Sequence, residues 1–223
     1  MMNRYSRLLD LSSFSKEKLS ILNNQKILLI GVGGVGQNIA TYLITNGVLN
    51  LTIIDFDEVE ISNLNRQFLL TEEDIGKTKV DVVKDALENR NKEAIIKSYD
   101  LKVDISNINK LIEGYDYVID AVDNWESKLV IARACKEKHL SLLHVGVDGH
   151  SGQYCLFKNK SLLDIVDEKI LSSRKDGVMG PMVSLISSLA SILLLENIVN
   201  NRNDSDVLYS FDYKSNQLTK IVL

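Results

Sequence analysis

The run Lys26-Ile-Leu-Leu-Ile-Gly31-Val-Gly33-Gly34-Val-Gly36 constrains this chain more than any other stretch. An apolar strand, Ile27–Ile30, enters it and a helical stretch, Gln37–Thr45, leaves it. Gly31, Gly33 and Gly36 fall at the G-x-G-x-x-G spacing, with Gly34 between them. In that context a side chain would block the tight turn and keep phosphates away from the helix N-terminus. The same glycines could serve helix–strand packing alone. Asp55, however, ends the next apolar strand, Leu51–Ile54, where a carboxylate accepts hydrogen bonds from ribose hydroxyls. A nucleotide or dinucleotide is indicated, without a choice between them.

The pattern continues in the same style. Lys79–Asn91 and Trp125–Lys138 read as helices, and Ile95–Tyr99, Tyr117–Ile119 and Ser141–Val147 as strands. Strands without polar alternation, separated by helices, form a parallel sheet covered on both faces. The expected fold class is therefore α/β, a Rossmann-like doubly wound and mostly parallel sheet. One or two short helices between Arg4 and Asn23, capped at Ser13 or Ser15, precede it. After Gly152 the pattern changes to a C-terminal antiparallel extension. Gln153–Phe157 is a strand, Val183–Asn197 an apolar helix, and Leu208–Tyr213 with Gln217–Val222 a closing hairpin. Lys158–Asp176 is polar and aperiodic, and is expected to be a mobile loop. No linker or repeat divides the sequence, so residues 1–223 are expected to form one domain.

Composition narrows the partners. With 26 Lys+Arg against 30 Asp+Glu the net charge is −4, without the basic excess of a nucleic-acid or anionic-membrane surface. The apolar stretch Val183–Leu195 is interrupted by serines and is not expected to cross a membrane. With no signal-like N-terminus and only Cys135 and Cys155, a cytoplasmic location without disulfides is expected.

Two further groups of residues carry chemistry. Asp55-Phe-Asp57-Glu-Val-Glu-Ile-Ser-Asn63-Leu-Asn-Arg66-Gln67-Phe68, followed by Gly76-Lys-Thr-Lys79, puts amides and cations past the second strand. Guanidinium and ammonium groups there suit a triphosphate, because they stabilise charge as pyrophosphate leaves. Asp120-Ala-Val-Asp123-Asn124 follows the fourth strand and faces the glycine turn. A carboxylate there can hold Mg²⁺, which offsets phosphate charge. Asp123 could equally cap the helix beginning near Trp125.

Arg4-Tyr-Ser-Arg7, GVGGVG, DFDEVEISNLNRQF, GKTK, DAVDN and Gly177-Val-Met-Gly-Pro181 together resemble the ThiF/MoeB/HesA family, bacterial relatives of ubiquitin-activating enzymes. The resemblance runs nearly end to end, and NLNRQF in its DFD context is its most specific part. It implies ATP- and Mg²⁺-dependent adenylylation of a C-terminal carboxylate on a small ubiquitin-like carrier protein or a peptide, with pyrophosphate released. Gly33 and Gly34 would approach phosphate and Asp55 would bind ribose. Asn63, Arg66, Gln67 and Lys79 would contact phosphates, and Asp123 would hold Mg²⁺. Gly31, Gly36, Asp57 and Asn124 complete the expected nucleotide contacts. Arg7 matches the arginine that family dimers donate to the partner's site, so a homodimer is implied.

The sequence departs from that pattern in two places. Many members carry two Cys-x-x-Cys pairs for structural zinc; neither pair exists here, and no structural zinc is expected. The cysteine that some members acylate should fall four residues before Gly177, where Ser173 stands, a weak nucleophile without a base. Cys135 and Cys155 read as small core residues. Activation of a small-molecule or tRNA-nucleoside carboxylate is one alternative, and a non-catalytic subunit another. An NAD-dependent oxidoreductase would share the glycine turn and Asp55, but it leaves Arg66, Gln67, Lys79 and Asp123 unexplained.

Overall fold

The structure, a computed structural model, describes residues 4–166, 177–201 and 204–223. Two short helices open it, α1 (Ser6–Leu9) and α2 (Lys16–Asn24). Ser15 caps α2, its hydroxyl accepting from the Lys18 amide at 3.3 Å, so the second of the two candidate serines is the cap. There follow β1 (Lys26–Ile30), α3 (Gly34–Thr45), β2 (Asn50–Asp55), α4 (Lys79–Arg90) and β3 (Ile95–Asp100). Then come α5 (Ile108–Leu111), β4 (Tyr117–Asp120), α6 (Trp125–Glu137), β5 (Ser141–Asp148) and β6 (Ser151–Phe157). The chain closes with α7 (Gly180–Asn200), β7 (Val207–Asp212) and β8 (Gln217–Val222).

The strands form one eight-stranded sheet in the order β3-β2-β1-β4-β5-β6-β7-β8. β3 through β5 are parallel, and β6, β7 and β8 are antiparallel additions. The chain winds outward from β1 to β3, then returns to the other side of β1 to lay down β4. That reversal opens a crevice at the carboxyl ends of β1 and β4, where ligands of such sheets bind. The pleat divides each strand between two cores. Ile27 and Leu29 face α2, α3, α4 and α7, while Leu28 and Ile30 face α5 and α6. Burial on both faces is why β1 shows no polar alternation.

Some boundaries differ from the sequence-based expectation for physical reasons. α3 starts at Gly34, because the glycines of the turn supply its first residues. α7 is longer than Val183–Asn197, with Pro181 in its first turn and Asn201 ending it in the left-handed region at φ 46°. Despite its serines, α7 is long and apolar enough to cross a membrane by length and composition alone, with a mean hydropathy of 1.9 over 18 residues, a test that a core helix also passes. Half of that window is buried in the protein. The serines do not interrupt it because their hydroxyls turn back onto the helix: Ser187 donates to Val183 O and Ser191 to Ser187 O, each at 2.7 Å.

The expected mobile loop is in part folded. Leu162–Asp164 forms a 3-10 turn whose N-cap, Ser161, and third residue, Asp164, cap each other reciprocally. The Asp206 carboxylate accepts from the amides of Lys158 at 2.9 Å and Lys160 at 3.1 Å. The rest of that stretch, 167–176, lies outside the described residues.

Candidate active site

The glycine turn closes against the start of the segment after β4. Gly31 has φ +92°, and a Cβ there would lie 2.7 Å from the Ala121 carbonyl oxygen, so both backbone conformation and space require glycine. A Cβ on Gly36 would lie 2.0 Å from Gly31 O, which makes that glycine a packing requirement of the turn. Gly34 is packed too, with Val183 Cγ1 at 3.0 Å and Arg66 O at 3.2 Å from its Cβ position. Of the two glycines expected to approach phosphate, Gly33 is the one whose Cβ side is open. Its nearest neighbour there is Gln67 Nε2 at 3.9 Å. Gly33 is also the N-cap of α3 and brings no side chain to it, leaving backbone donors at that helix end.

Asp55 does structural work in this arrangement. Its Oδ2 accepts from the Val32 amide at 2.7 Å and its Oδ1 from the Asp57 amide at 3.0 Å, fixing the turn to the end of β2. Two acceptor sites are thereby used out of the roughly four a carboxylate offers.

The segment after β2 folds into a 3-10 turn, Ile61–Asn63, with the Asn63 Oδ1 accepting from the Glu60 amide at 3.1 Å. Asn63 is buried, and that reciprocal cap occupies the oxygen of its side chain. The next residues bring Arg66 and Gln67 beside the glycine turn. Arg66 donates from one guanidinium nitrogen to Ser62 O at 2.8 Å and to Asn65 Oδ1 at 2.9 Å. Lys79, 4% exposed, holds Asp57 Oδ2 at 2.9 Å. Asp57, expected among the nucleotide contacts, is thus first the counter-ion that lets Lys79 be buried.

In the segment after β4, Asn124 is the N-cap of α6, its Oδ1 accepting from the Ser127 amide at 2.8 Å. Asn124's side-chain oxygen is thus engaged in the cap, and of the two roles open to Asp123, which is exposed, capping α6 is not the one it takes.

Beneath this segment lies a buried cluster that the sequence did not announce. Lys128 donates to both oxygens of Asp120 at 3.1 Å and to Val145 O at 2.9 Å. His144 Nδ1 lies 2.8 Å from Asp120 Oδ2, and its Nε2 lies 3.3 Å from Gln153 Nε2. Burial opposes ionisation of Asp120, but Lys128 and His144 outweigh it and hold the carboxyl below its usual range. Burial, then Lys128, pushes the His144 imidazole below its ordinary value. The neutral ring donates from Nδ1 to Asp120 and accepts at Nε2 from Gln153. Asp120 also accepts from the Val122 amide at 3.3 Å, and so shapes the segment carrying Asp123.

Arg7 projects from the surface with its side chain 96% exposed, 3.7 Å from Asp10. Its neighbours are anchored: Asn91 Nδ2 donates to the buried Tyr5 hydroxyl at 3.2 Å, and Arg4 donates to Arg90 O at 2.8 Å. Burial raises the thiols of Cys135 and Cys155 to about 12, as fits core residues and not nucleophiles. Ser173 lies outside the described residues. Among the described residues no group of three His, Cys, Asp or Glu side chains is placed to hold a metal ion. A cavity of about 580 Å³ beside α4 is lined by Asp74, Asp81 and Asp85, with the cation there, Lys77, already paired to Asp74, a balance unsuited to phosphates. The donor-rich crevice at the glycine turn suits them.

Known proteins resemble this chain in sequence and in fold. The adenylyltransferase and sulfurtransferase MOCS3 of Culex quinquefasciatus is 30% identical over 210 residues, 89% of this chain and 47% of that protein. The chain therefore spans about half the length of that curated relative. The molybdopterin-synthase adenylyltransferase of Haemophilus influenzae is 30% identical over 196 residues, 85% of this chain and 81% of the relative. Among solved structures, Escherichia coli MccB with ATP shares the fold, with a TM-score of 0.87 at 22% identity over 99% of this chain and 71% of that one. The ThiF family model matches residues 5–223, and the chain belongs to the ThiF family.

Proposed function

We propose that this chain is an adenylyltransferase that uses Mg-ATP to activate the C-terminal carboxylate of a small ubiquitin-like sulfur-carrier protein or a peptide. The observation that carries the reading is the crevice between β1 and β4. There the uncapped start of α3 at Gly33 is overlooked by the Gln67 amide, with Arg66 packed on Gly34 beside it. Such a site offers donors and positive charge to phosphates. The relatives named as adenylyltransferases support the reaction type, and MccB, solved with ATP and with MccA, supports a fold that takes a nucleotide and a second binding partner.

In the reaction a carboxylate oxygen attacks the α-phosphorus. The new acyl–phosphate bond forms as the α–β phosphoanhydride bond breaks, and pyrophosphate leaves. The chain supplies alignment and charge stabilisation more than covalent chemistry. Gly33 and the start of α3 bind the phosphates, Gln67 donates to them, and Arg66 and Lys79 stabilise the charge of the departing pyrophosphate. Asp55, already fixed by Val32 and Asp57, receives the ribose hydroxyls on its remaining acceptor sites. Mg²⁺, when bound, offsets phosphate charge. Asp123, exposed beside the crevice, is the residue that would hold it. A cytoplasmic homodimer in which Arg7 reaches the partner's site completes the proposal.

Calorimetric titration of the wild type and Asp123→Ala with Mg-ATP, and separately with NADH, tests the reading. Saturable, magnesium-dependent ATP binding that weakens in the variant is expected, followed by carboxylate-dependent ATP–pyrophosphate exchange. NADH binding with no response to ATP would overturn the proposal.

A further inference from the structure

Gln37, the fourth residue of α3, is a polar side chain that the reaction above does not use, yet it is 2% exposed and fully engaged. Its Nε2 donates to Val32 O at 2.9 Å and to Gln67 Oε1 at 3.1 Å, while its Oε1 accepts from the Leu69 amide at 3.2 Å. The two backbone partners fix the amide's orientation. A flip would press Oε1 against a carbonyl oxygen and Nε2 against an N–H, leaving the buried Val32 carbonyl and the half-buried Leu69 amide unmatched. With Gln37 fixed, Gln67 has no choice either: its oxygen must face Gln37, so its NH₂ faces the open side of Gly33, 3.9 Å from the Cβ position.

We infer that Gln37 is a positioning residue for nucleotide binding: it locks the Gln67 amide as a donor toward the phosphates above the start of α3. The inference rests on the proposed use of ATP in this crevice. A glutamine whose oxygen met a phosphate would repel it, so the polarity of Gln67 decides whether it helps or opposes binding. Gln37 sets that polarity without touching the nucleotide. It also ties the glycine turn to the segment carrying Arg66, so the two halves of the phosphate site share one hinge of hydrogen bonds.

A double-mutant cycle separates this role from simple support of the fold. Mg-ATP affinity is measured by calorimetry for the wild type, Gln37→Met, Gln67→Met and the double variant, with thermal unfolding recorded for each. Gln37→Met keeps the side-chain volume and removes the donor. Its ATP affinity is expected to fall about ten- to a hundredfold, the usual consequence of losing a charge-assisted hydrogen bond. In the Gln67→Met background the same change is expected to alter affinity by less than about twofold, because no amide remains to orient. A Gln37 effect that persists undiminished in the Gln67→Met background overturns the inference, as does wild-type affinity in Gln37→Met. If Gln37→Met does not fold, Gln37→Glu, which can take the Leu69 N–H but cannot serve both acceptors as a carboxylate, carries the same comparison. A wild type that binds no ATP overturns this inference together with the function it rests on, whereas normal wild-type binding with a flat cycle overturns this inference alone.

Discussion

Asp120, Lys128 and His144 place a carboxylate, an ammonium and an imidazole out of water, at the end of β4, on the facing turn of α6 and in the middle of β5. Removing such charges from water is costly, and an apolar trio of similar volume is often as stable. What the ionic cluster provides is shape: Asp120 gathers Lys128, His144 and the Val122 amide around one carboxylate directly under the segment bearing Asp123. The cluster also ties stability to pH. His144 is held below its ordinary value of 6.5 in the folded chain, so between the folded and unfolded values the unfolded state binds more protons. Stability is therefore retained above about 6.5 and lost as pH falls from there toward the folded value, by at most about 1.4 kcal/mol per pH unit. Asp120 acts at lower pH: its contribution is present above 3.8 and lost as pH falls below that toward its depressed folded value. His144→Gln keeps a donor for Asp120 and cannot titrate. Denaturant unfolding at a series of pH values should show a shallower loss of stability below about 6.5 for the variant than for the wild type. Parallel curves would mean that His144 does not titrate differently on unfolding.

At the scale of elements, α7 decides how tightly the site closes. Its first residue, Gly180, lies against the Arg66 turn, with a Cβ there only 2.7 Å from Asn65 O. Farther along, Gly152 of β6 lets Ile186 of α7 lie on the sheet, its Cγ1 just 2.3 Å from the Cβ position. Backbone cannot yield as a flexible side-chain end can. Gly180→Ala should therefore displace the start of α7 or the Arg66 turn, costing about 1–3 kcal/mol in denaturant unfolding and weakening ATP binding along with it. Unchanged unfolding and unchanged affinity would show that the two elements have slack between them. These contacts also mark how far the sequence was readable. The glycine turn, Asp55 and the Asn63–Gln67 segment announced themselves because their chemistry lies in short contiguous runs. Gln37 with Gln67, and His144 with Asp120, did not, because their partners are 30 and 24 residues away and meet only once the sheet is wound. A glutamine or a lysine on an amphipathic helix reads as solvated surface until the opposing strand is known. At Asn124 the two readings meet, since a polar residue in a ligand-like motif is also a helix cap.

At the scale of the whole molecule, the site elements within one chain converge from the carboxyl ends of the strands, whereas Arg7 stands apart on α1, pointing outward. Arg4 and Tyr5 fasten that segment to the end of α4, so Arg7 is presented from a fixed base and not from a loose terminus. A fixed, outward-facing guanidinium gains a purpose if a second copy brings it to the neighbouring site, as the proposed homodimer would. A two-fold symmetric pair then holds two equivalent composite sites, each lacking nothing except what the other chain supplies. This arrangement makes an unusual prediction for mixtures. Arg7→Ala and Asp123→Ala should each be inactive in ATP–pyrophosphate exchange. Random reassortment of the two makes half of the dimers mixed, and in each mixed dimer one site receives both substitutions while the other receives neither. Co-refolded or co-expressed variants should therefore recover about a quarter of wild-type activity. If Arg7 acted within its own chain, every site in the mixture would still carry one defect, and no activity would return. If Arg7 had no role, its variant would be active alone. The mixing experiment thus reads chain geometry from a rate, and recovery near a quarter would place the functional unit at two chains.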